Sequence, residues 1–331
     1  MTDPIGREIE IPACAFDDAD PSFGLEQLGS IRAHYDREGY AVVRAVIPPS
    51  LCEVVRAAFL REVKPYAGFL YRQATAKPER HVFTQHGYML NALLNIQDLQ
   101  QDVFARFREN SLAVLAHRNI QTLLAALLGE GGVLVQSMFF EGNPETWAHQ
   151  DTYYLDSAKL GGMAAVWVAM EDISPGAGRF YVYPGSHTLD LPRNSRLFGI
   201  AFHHESYKNS VIELIKSRRL VCRAPAMAKG DVLVWNSKTI HGSLRTTQPE
   251  RSRCSLTAHY IPQSTQLLQF QARKRSMKLS EVNSLRIHCP KDQNKVLNRL
   301  VLHVERSFPT GFQFLKRLMI RIAAIQRFSA E

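Results

Sequence analysis

Apolar residues recur at helical spacing through most of residues 25–130. The clearest case is residues 112–128, where leucine and isoleucine return every three or four positions, as on the buried face of a helix. One short run, GYAVVRA at 39–45, interrupts the pattern and predicts a strand. Pro48, Pro49 and Ser50 follow it, and prolines beside a serine are typical of a helix start. We therefore predict that residues 1–130 form a mostly helical N-terminal part packed on a core.

The pattern changes at residue 131. From there to residue 261, short runs rich in β-branched and aromatic residues alternate with turn residues. The predicted strands cover residues 133–140, 163–170, 179–183, 219–223, 231–235 and 253–261. This rhythm is typical of a β-sandwich or barrel. Residues 188–218 interrupt it with a polar, charge-rich insertion that is too long for a hairpin loop, and we predict a lid there.

Residues 262–331 carry the whole net charge of the chain. They hold 13 Lys plus Arg against four Asp plus Glu, a surplus of +9, which equals the net charge of all 331 residues. A neutral body with a cationic tail indicates contact with something anionic, such as a phospholipid surface, a phosphorylated substrate or nucleic acid. A solvated basic face gives the same composition.

The end of this tail predicts an amphipathic helix over residues 312–328. Leu315, Leu318, Ile322 and Ile325 lie on one stripe, and the neighbouring basic residues lie largely off it. Packing against the body is the more frequent explanation of such a stripe, and docking on a membrane surface is the other. We predict a basic helical extension over 262–331, with peripheral membrane contact as the open alternative.

The cysteines and the lack of long apolar runs indicate where in the cell the protein is expected. The five cysteines are widely spaced and lack any C-x-x-C pair, which fits reduced thiols and predicts neither a disulfide framework nor a zinc site. The N-terminus has no apolar signal core, and no run of about 18 apolar residues occurs. We expect a cytoplasmic protein, with the basic tail as its link to the inner face of a membrane.

The candidate chemistry lies in the β-rich part. In the segment 146–154, which we interpret as extended, His149 and Asp151 are two apart and would point to the same face of a strand. His241 follows a β-branched run and could lie beside them. Two imidazoles and one carboxylate are the ligand set of a mononuclear non-haem iron site. The sequence predicts such a site if the three converge.

Other histidines fit this pattern less well. His34 and Asp36 repeat the spacing, but they fall in a helical pattern, where positions i and i+2 diverge. The HHE run at 203–205 lies in the polar insertion, and we interpret it as surface or lid chemistry. His187 invites the role of a catalytic base, yet its PGSH context at 184–187 favours a turn.

Several motifs in order resemble the phytanoyl-CoA dioxygenase family of iron(II)- and 2-oxoglutarate-dependent oxygenases. The resemblance covers roughly residues 37–261. It rests on GYAVV at 39–43, HQD at 149–151, WVAMEDI at 167–173, PGSH at 184–187, KGD at 229–231 and HGS at 241–243. It implies an α+β fold whose core, residues 131–261, is a double-stranded β-helix of the jelly-roll or cupin type, with flanking helices at its N- and C-terminal sides.

The resemblance also implies site roles. His149, Asp151 and His241 would bind Fe(II), with 2-oxoglutarate and O2 as cosubstrates. The distal carboxylate of 2-oxoglutarate would pair with Arg253, and the matching cosubstrate positions are Ser243, Trp167 and, more weakly, Gln136. Because the spacing after His241 is one residue longer than usual, Arg251 competes with Arg253. We prefer Arg253, because Tyr260 follows it at the family's spacing on the same strand, which puts the extra residue in the turn at 246–250. Turns absorb insertions more easily than strands do.

Two further features narrow the activity. The AGRF run at 177–180 replaces the family's more usual Asn-Gly pair, which puts the substrate rather than the chemistry in question. Asp151 is retained, which favours hydroxylation over halogenation. We expect hydroxylation of an unactivated C–H bond in a small-molecule, natural-product or lipid-linked substrate, with release of succinate and CO2. The alternatives are a cupin-like metal-binding isomerase and a non-catalytic metal or 2-oxo acid binding protein, whereas no nucleic-acid motif appears.

Overall fold

The computed structural model describes residues 1–191, 204–271, 273–312, 314, 315 and 318. Its α-helices are α1 (Leu28–Glu38), α2 (Pro49–Ala58), α3 (Ala105–Leu115), α4 (Arg118–Leu128), α5 (His204–Ser217) and α6 (Val296–Ser307). The first eight strands are β1 (Ser22–Phe23), β2 (Tyr40–Val43), β3 (Leu70–Tyr71), β4 (Pro78–Glu79), β5 (Leu93–Leu94), β6 (Gly132–Phe140), β7 (Leu155–Ser157) and β8 (Ala164–Ala169). The other eight are β9 (Phe180–Val182), β10 (Val232–Asn236), β11 (His241–Ser243), β12 (Ser255–Pro262), β13 (Leu267–Gln269), β14 (Arg273–Arg275), β15 (Leu279–Val282) and β16 (Leu285–His288).

A nine-stranded mixed sheet forms the centre of the molecule, and its strand order is β1-β2-β10-β8-β12-β6-β16-β15, with β5 also paired to β6. Strands β10, β8 and β12 are buried along almost their whole length. The sequences of β10 and β8 are accordingly nearly continuous apolar runs, whereas β12 alternates polar and apolar residues. One face packs against helices α1 to α4 through side chains such as Val166, Val234 and Leu256. The fold is therefore mixed α/β, with helices covering one side of a large sheet.

The opposite face carries the residues of the site. Antiparallel pairing sets Trp235, Ala165 and His259 side by side across β10, β8 and β12, and directly opposed residues point to the same side of a sheet. A two-stranded sheet of β9 and β11 packs over this face through Phe180 and Val182. Ala165 therefore occupies little volume between the larger Trp235 and His259.

The predicted core strands are confirmed at β6, β8, β9, β10 and β12, and α1 to α4 with β2 confirm the helical N-terminal pattern. The run at 219–223 is not a strand, because Arg223 makes only an isolated bridge to Val182. The segment 146–154 is also not a continuous strand: His149 bridges to His241, and Asp151 then begins a 3-10 helix. The strands β1, β3, β4 and β5 were not predicted, because two residues carry no periodic signal.

The prediction of a helical extension over 262–331 is wrong for residues 267–288. They form β13 to β16, and β16 pairs with β6 parallel, which extends the main sheet. In β16, buried Leu285 and Ile287 alternate with Arg286, a period of two that is easily missed in four residues of a basic segment. Among the described residues of this segment, α6 is the one α-helix with defined bounds, and most of the predicted stripe at 312–328 lies outside the described residues.

In the predicted lid, residues 192–203 lie outside the described part of the chain, and 204–217 form α5. Its buried residues Tyr207, Val211 and Ile215 fix one face of the helix to the body. Among the described residues, no single helix is long and apolar enough to cross a membrane. Helices α3 and α4 together are long and apolar enough by length and composition alone, but a bend of 42° separates them.

Candidate metal centre and its surroundings

His149 and His241 lie side by side on two neighbouring backbone segments. Each backbone N–H donates to the carbonyl of the other residue at 3.0 Å, and the two rings are 4.4 Å apart between centroids. His149 Nδ1 is 2.8 Å from the carbonyl of Trp147, and His241 Nδ1 is 2.9 Å from that of Thr239. A ring that donates from Nδ1 keeps the lone pair on Nε2, so both rings are set to bind a metal through Nε2.

Asp151 completes the group from the start of the 3-10 helix Asp151–Tyr153. Its Oδ1 is 3.6 Å from Nε2 of both His149 and His241. Two atoms bound to one cation at about 2.1 Å each can be at most about 4.2 Å apart, so these distances leave room for a single ion between them. The three predicted ligands are thus brought together as a group that could hold a metal ion.

The second oxygen of the Asp151 carboxylate is held on its other side by two buried residues. Trp235 Nε1 donates to Oδ2 at 2.8 Å, and His259 Nε2 lies 3.2 Å from the same atom. The site predicted from the sequence included neither Trp235 nor His259. His259 could be recognised only once β12 was known to be buried, because Ser255, Thr257 and His259 then put three polar residues on one face of a buried strand.

Burial and neighbouring groups together lower the pKa values of both Asp151 and His241. Burial raises the pKa of Asp151, but His241 and His259 with a hydrogen bond from His149 outweigh it and hold that pKa well below its usual range. Burial lowers the pKa of His241 to about 4. At neutral pH the site therefore offers an ionised carboxylate and a neutral imidazole, the protonation states that metal binding requires.

Arg253 lies on the same face, just before β12, and is buried. Its guanidinium carbon is 5.3 Å from the ring centroid of Phe140 and 6.0 Å from that of Trp167. Burial lowers the pKa of Arg253 to about 10, and no ion pair to it is found among the described residues. Its Nε has no hydrogen-bond partner there, nor have Trp167 Nε1 and Thr257 Oγ1. A buried cation among unpaired donors is costly unless an anion joins it.

The remaining predicted cosubstrate residues lie close to this face. Gln136 on β6 is directly opposite His259 and is partly exposed. Ser243 is buried on β11, and its Oγ accepts a hydrogen bond from the backbone N–H of Thr146 at 2.7 Å. The competing Arg251 is exposed at the surface. Of the two arginines, only Arg253 is therefore placed inside the molecule.

Aromatic residues form a wall beside His149. The ring centroids of Trp147 and Tyr154 are 5.4 and 5.8 Å from that of His149. Helix α5 packs onto this wall: His204 Nε2 is 2.9 Å from the Tyr154 hydroxyl, and the Lys208 amine is 5.5 Å from the Trp147 ring centroid. The described part of the predicted lid therefore borders the metal group.

The structure separates the second H-x-D pair and His187 from this site, whereas His204 of the HHE run borders it. In α1, His34 packs against Tyr40 while Asp36 pairs with Arg32, so the two do not converge. His187 lies in a 3-10 turn with Nε2 3.1 Å from the carbonyl of Asp36, as the turn interpretation predicted.

In the run 177–180, Phe180 and not Arg179 lies next to the metal group. The Arg179 guanidinium donates to the backbone carbonyls of Pro12, Ala13 and Ile173. Phe180 instead stacks on the His241 ring at 5.3 Å between centroids, with 15° between the planes. The wall in this segment is therefore aromatic.

Comparison with known proteins agrees with this geometry. Residues 35–253 match the family model described as phytanoyl-CoA dioxygenase. Phytanoyl-CoA dioxygenase domain-containing protein 1 of Bos taurus is 29% identical over 147 residues, which cover 43% of this chain and 49% of that protein. The peroxisomal phytanoyl-CoA dioxygenase of Homo sapiens is 23% identical over 233 residues, 64% of this chain and 62% of that protein. The chain thus matches about half the length of the first relative and less than two thirds of the second.

Solved structures share the fold. The non-haem α-ketoglutarate-dependent carbocyclase SnoK from nogalamycin biosynthesis superposes with a TM-score of 0.56 at 16% identity, over 75% of this chain and 89% of that one. EctD from S. alaskensis with 2-oxoglutarate and 5-hydroxyectoine gives a TM-score of 0.53 at 18% identity, over 77% and 86%. The family match covers well over half of the chain and confirms the resemblance found in the motifs: the chain belongs to the phytanoyl-CoA dioxygenase family.

Proposed function

We propose that this protein is an iron(II)- and 2-oxoglutarate-dependent dioxygenase that hydroxylates a small organic molecule. The observation that carries the proposal is the presence of a His149, Asp151 and His241 group and a buried Arg253, whose Nε has no hydrogen-bond partner among the described residues, on the same side of the main sheet. A metal site alone would serve many functions. A metal site beside a buried cation that needs an anion suits a cosubstrate with a carboxylate at its far end.

Each residue has a defined task in this proposal. His149, His241 and Asp151 Oδ1 would hold the iron on one side, while Trp235 and His259 fix the carboxylate through Oδ2. When bound, iron with 2-oxoglutarate and O2 supplies the oxidising chemistry that breaks an unactivated C–H bond, and 2-oxoglutarate leaves as succinate and CO2. The chain itself orients the reactants and excludes water.

Arg253 would take the distal carboxylate of 2-oxoglutarate. The unpaired Thr257 hydroxyl and Trp167 indole N–H lie on the same face and would complete the polar lining, with Ser243 and Gln136 nearby. Within the described ranges, Arg253 forms no ion pair that the cosubstrate carboxylate would have to displace. Preorganisation of this kind favours binding, since the buried guanidinium is already desolvated.

The substrate would enter from the side of α5. Trp147, Tyr154 and Phe180 give the site an apolar, aromatic wall, and Lys208 and His204 add polar groups at its border. This lining suits a small molecule with an apolar or ring-shaped part next to the metal and a polar group toward α5. The main sheet and the β9–β11 sheet that face each other around it would be the two halves of a double-stranded β-helix.

Succinate formation tests the proposal. Purified protein with Fe(II), 2-oxoglutarate and O2 should form succinate, and a panel of apolar ring compounds should raise the rate. Asp151→Ala should lower succinate formation by about a hundredfold or more, whereas Asp36→Ala, which removes the carboxylate of the second H-x-D motif, should leave it unchanged. Equal rates in wild type and Asp151→Ala would refute the proposed function.

A further inference from the structure

Helix α6 is attached to the body by its polar side. Glu305 is its buried residue, and its carboxylate accepts a hydrogen bond from the Tyr71 hydroxyl at 2.8 Å. The Lys291 amine is 3.7 Å from the same carboxylate. Near the start of the helix, Asn298 donates to the carbonyl of Asp292 and Arg299 to that of Gln293. Polar contacts thus hold the helix in a fixed orientation.

The apolar side of α6 faces outward. Five residues spaced along one stripe are between 37% and 72% exposed: Val296, Leu297, Leu300, Val301 and Val304. Beyond the helix, Phe308, Phe314, Leu315 and Leu318 are also between 42% and 70% exposed. A helix on a globular protein normally turns its apolar stripe toward the core. An exposed apolar surface of this length marks an interaction site.

The charges around the stripe indicate what covers it. Arg299, His303 and Arg306 lie along one flank, where Arg299 also donates to the carbonyl of Gln293 and Arg306 lies over the Phe69 ring, and Lys295 precedes the helix. Residues 262–331 as a whole carry a surplus of +9. A second copy of the chain would bring two such tails together, and the repulsion would oppose a dimer through this face. An apolar stripe with a basic border fits a surface that is apolar inside and anionic outside.

We propose that α6 lies in the interface of an anionic phospholipid bilayer. The stripe of Val296, Leu297, Leu300, Val301 and Val304 would insert among the acyl chains, while the basic flank would contact the headgroups. The contacts of Glu305 with Tyr71 and Lys291 would hold the body at the membrane surface. This inference stands on the exposed face of α6 and its charges, and it is independent of the chemistry proposed for the metal group.

Vesicle cosedimentation of the full-length protein tests this inference. Wild type should bind vesicles of phosphatidylcholine with about 30% phosphatidylglycerol, bind phosphatidylcholine alone more weakly, and dissociate as NaCl rises to about 0.5 M. Leu297→Glu with Leu300→Glu should weaken binding at least about tenfold. The control, Phe16→Glu with Val82→Glu, makes the same charge change at two exposed apolar residues outside α6 and should bind within about twofold of wild type.

Three results would overturn the proposal. Wild type would fail to bind the anionic vesicles, or the Leu297→Glu, Leu300→Glu protein would bind them as well as the control does. Alternatively, sedimentation without lipid would show a dimer that this pair of substitutions dissociates, and the apolar face would then be the contact between two copies. Both exposed pairs leave the core unchanged, and circular dichroism confirms that each variant is folded.

Discussion

His259 Nε2 lies 3.2 Å from Oδ2 of Asp151, while the Oδ1 of the same carboxylate faces His149 and His241. The arrangement follows from strand register: Trp235 and His259 are both paired with Ala165, one from each side, and the small alanine leaves the space between them open to the carboxylate. Asp151 is thus fixed through one oxygen and presents the other to His149 and His241, where a metal ion would bind. Contacts of this kind orient a ligand and tune its affinity for the metal.

Removing His259 should weaken metal binding without unfolding the protein. We expect His259→Ala to lower the affinity for Fe(II) by about 10- to 100-fold, because Asp151 would lose one of the two groups that hold Oδ2. His259→Gln, whose amide can donate to the same oxygen, should restore part of it. Anaerobic calorimetric titration gives the dissociation constants. Unchanged affinity in His259→Ala would show that Trp235 alone positions the carboxylate.

Metal binding should stabilise the folded chain. A ligand that binds only the native state raises the free energy of unfolding by about 2.7 kcal/mol at a concentration 100 times its dissociation constant. We therefore expect Fe(II) or Co(II) under anaerobic conditions to raise the thermal midpoint of wild type by a few degrees. Asp151→Ala should show no such rise. A chelator should reverse the effect in wild type, and an equal rise in the variant would place the metal elsewhere.

Asp98 should make stability depend on pH. Burial raises the pKa of Asp98 to about 7, so the native state keeps a proton that the unfolded chain loses near pH 4. The free energy of unfolding should therefore fall as pH rises from about 4 to 7 and level off above, with a total change of a few kcal/mol from this group. Asp98→Asn should remove that part of the slope.

Urea unfolding of wild type and Asp98→Asn at about six pH values measures this difference. The exposed Asp102→Asn is the control, since it changes the same charge close by in the sequence. The gap between wild type and Asp98→Asn should widen with pH, whereas the gap between wild type and the control should stay constant. Parallel curves for wild type and Asp98→Asn would show that Asp98 is ionised throughout this range.

The three residues of the candidate metal group could be predicted from the sequence because they lie within an ordered set of family motifs, although Asp151 begins a 3-10 helix rather than continuing a strand. His149 and Asp151 share a spacing and a context, and His241 follows a clear strand. The choice of Arg253 over Arg251 rested on placing the extra residue in a turn, and the structure buries the first and exposes the second.

The residues that support the ligands could not be predicted in the same way. The contact of His259 with Asp151 depends on the register of three strands that are distant in sequence, and no local pattern encodes it. Strands β13 to β16 were hidden by short length and a basic composition that favoured an exposed helix. The outward apolar face of α6 depends on polar anchors such as Glu305 and Tyr71, which only the folded chain brings together.

In the proposed function, one side of the main sheet binds both a metal and a 2-oxo acid. The most direct test is anaerobic titration of metal-free protein with Fe(II) and then 2-oxoglutarate, observed through the weak visible absorption band of the chelate. Wild type and Arg251→Ala should form the band at the same 2-oxoglutarate concentration, and Arg253→Ala should need at least about tenfold more, because the distal carboxylate loses its partner. A band that forms equally in all three, or in none, would contradict the account.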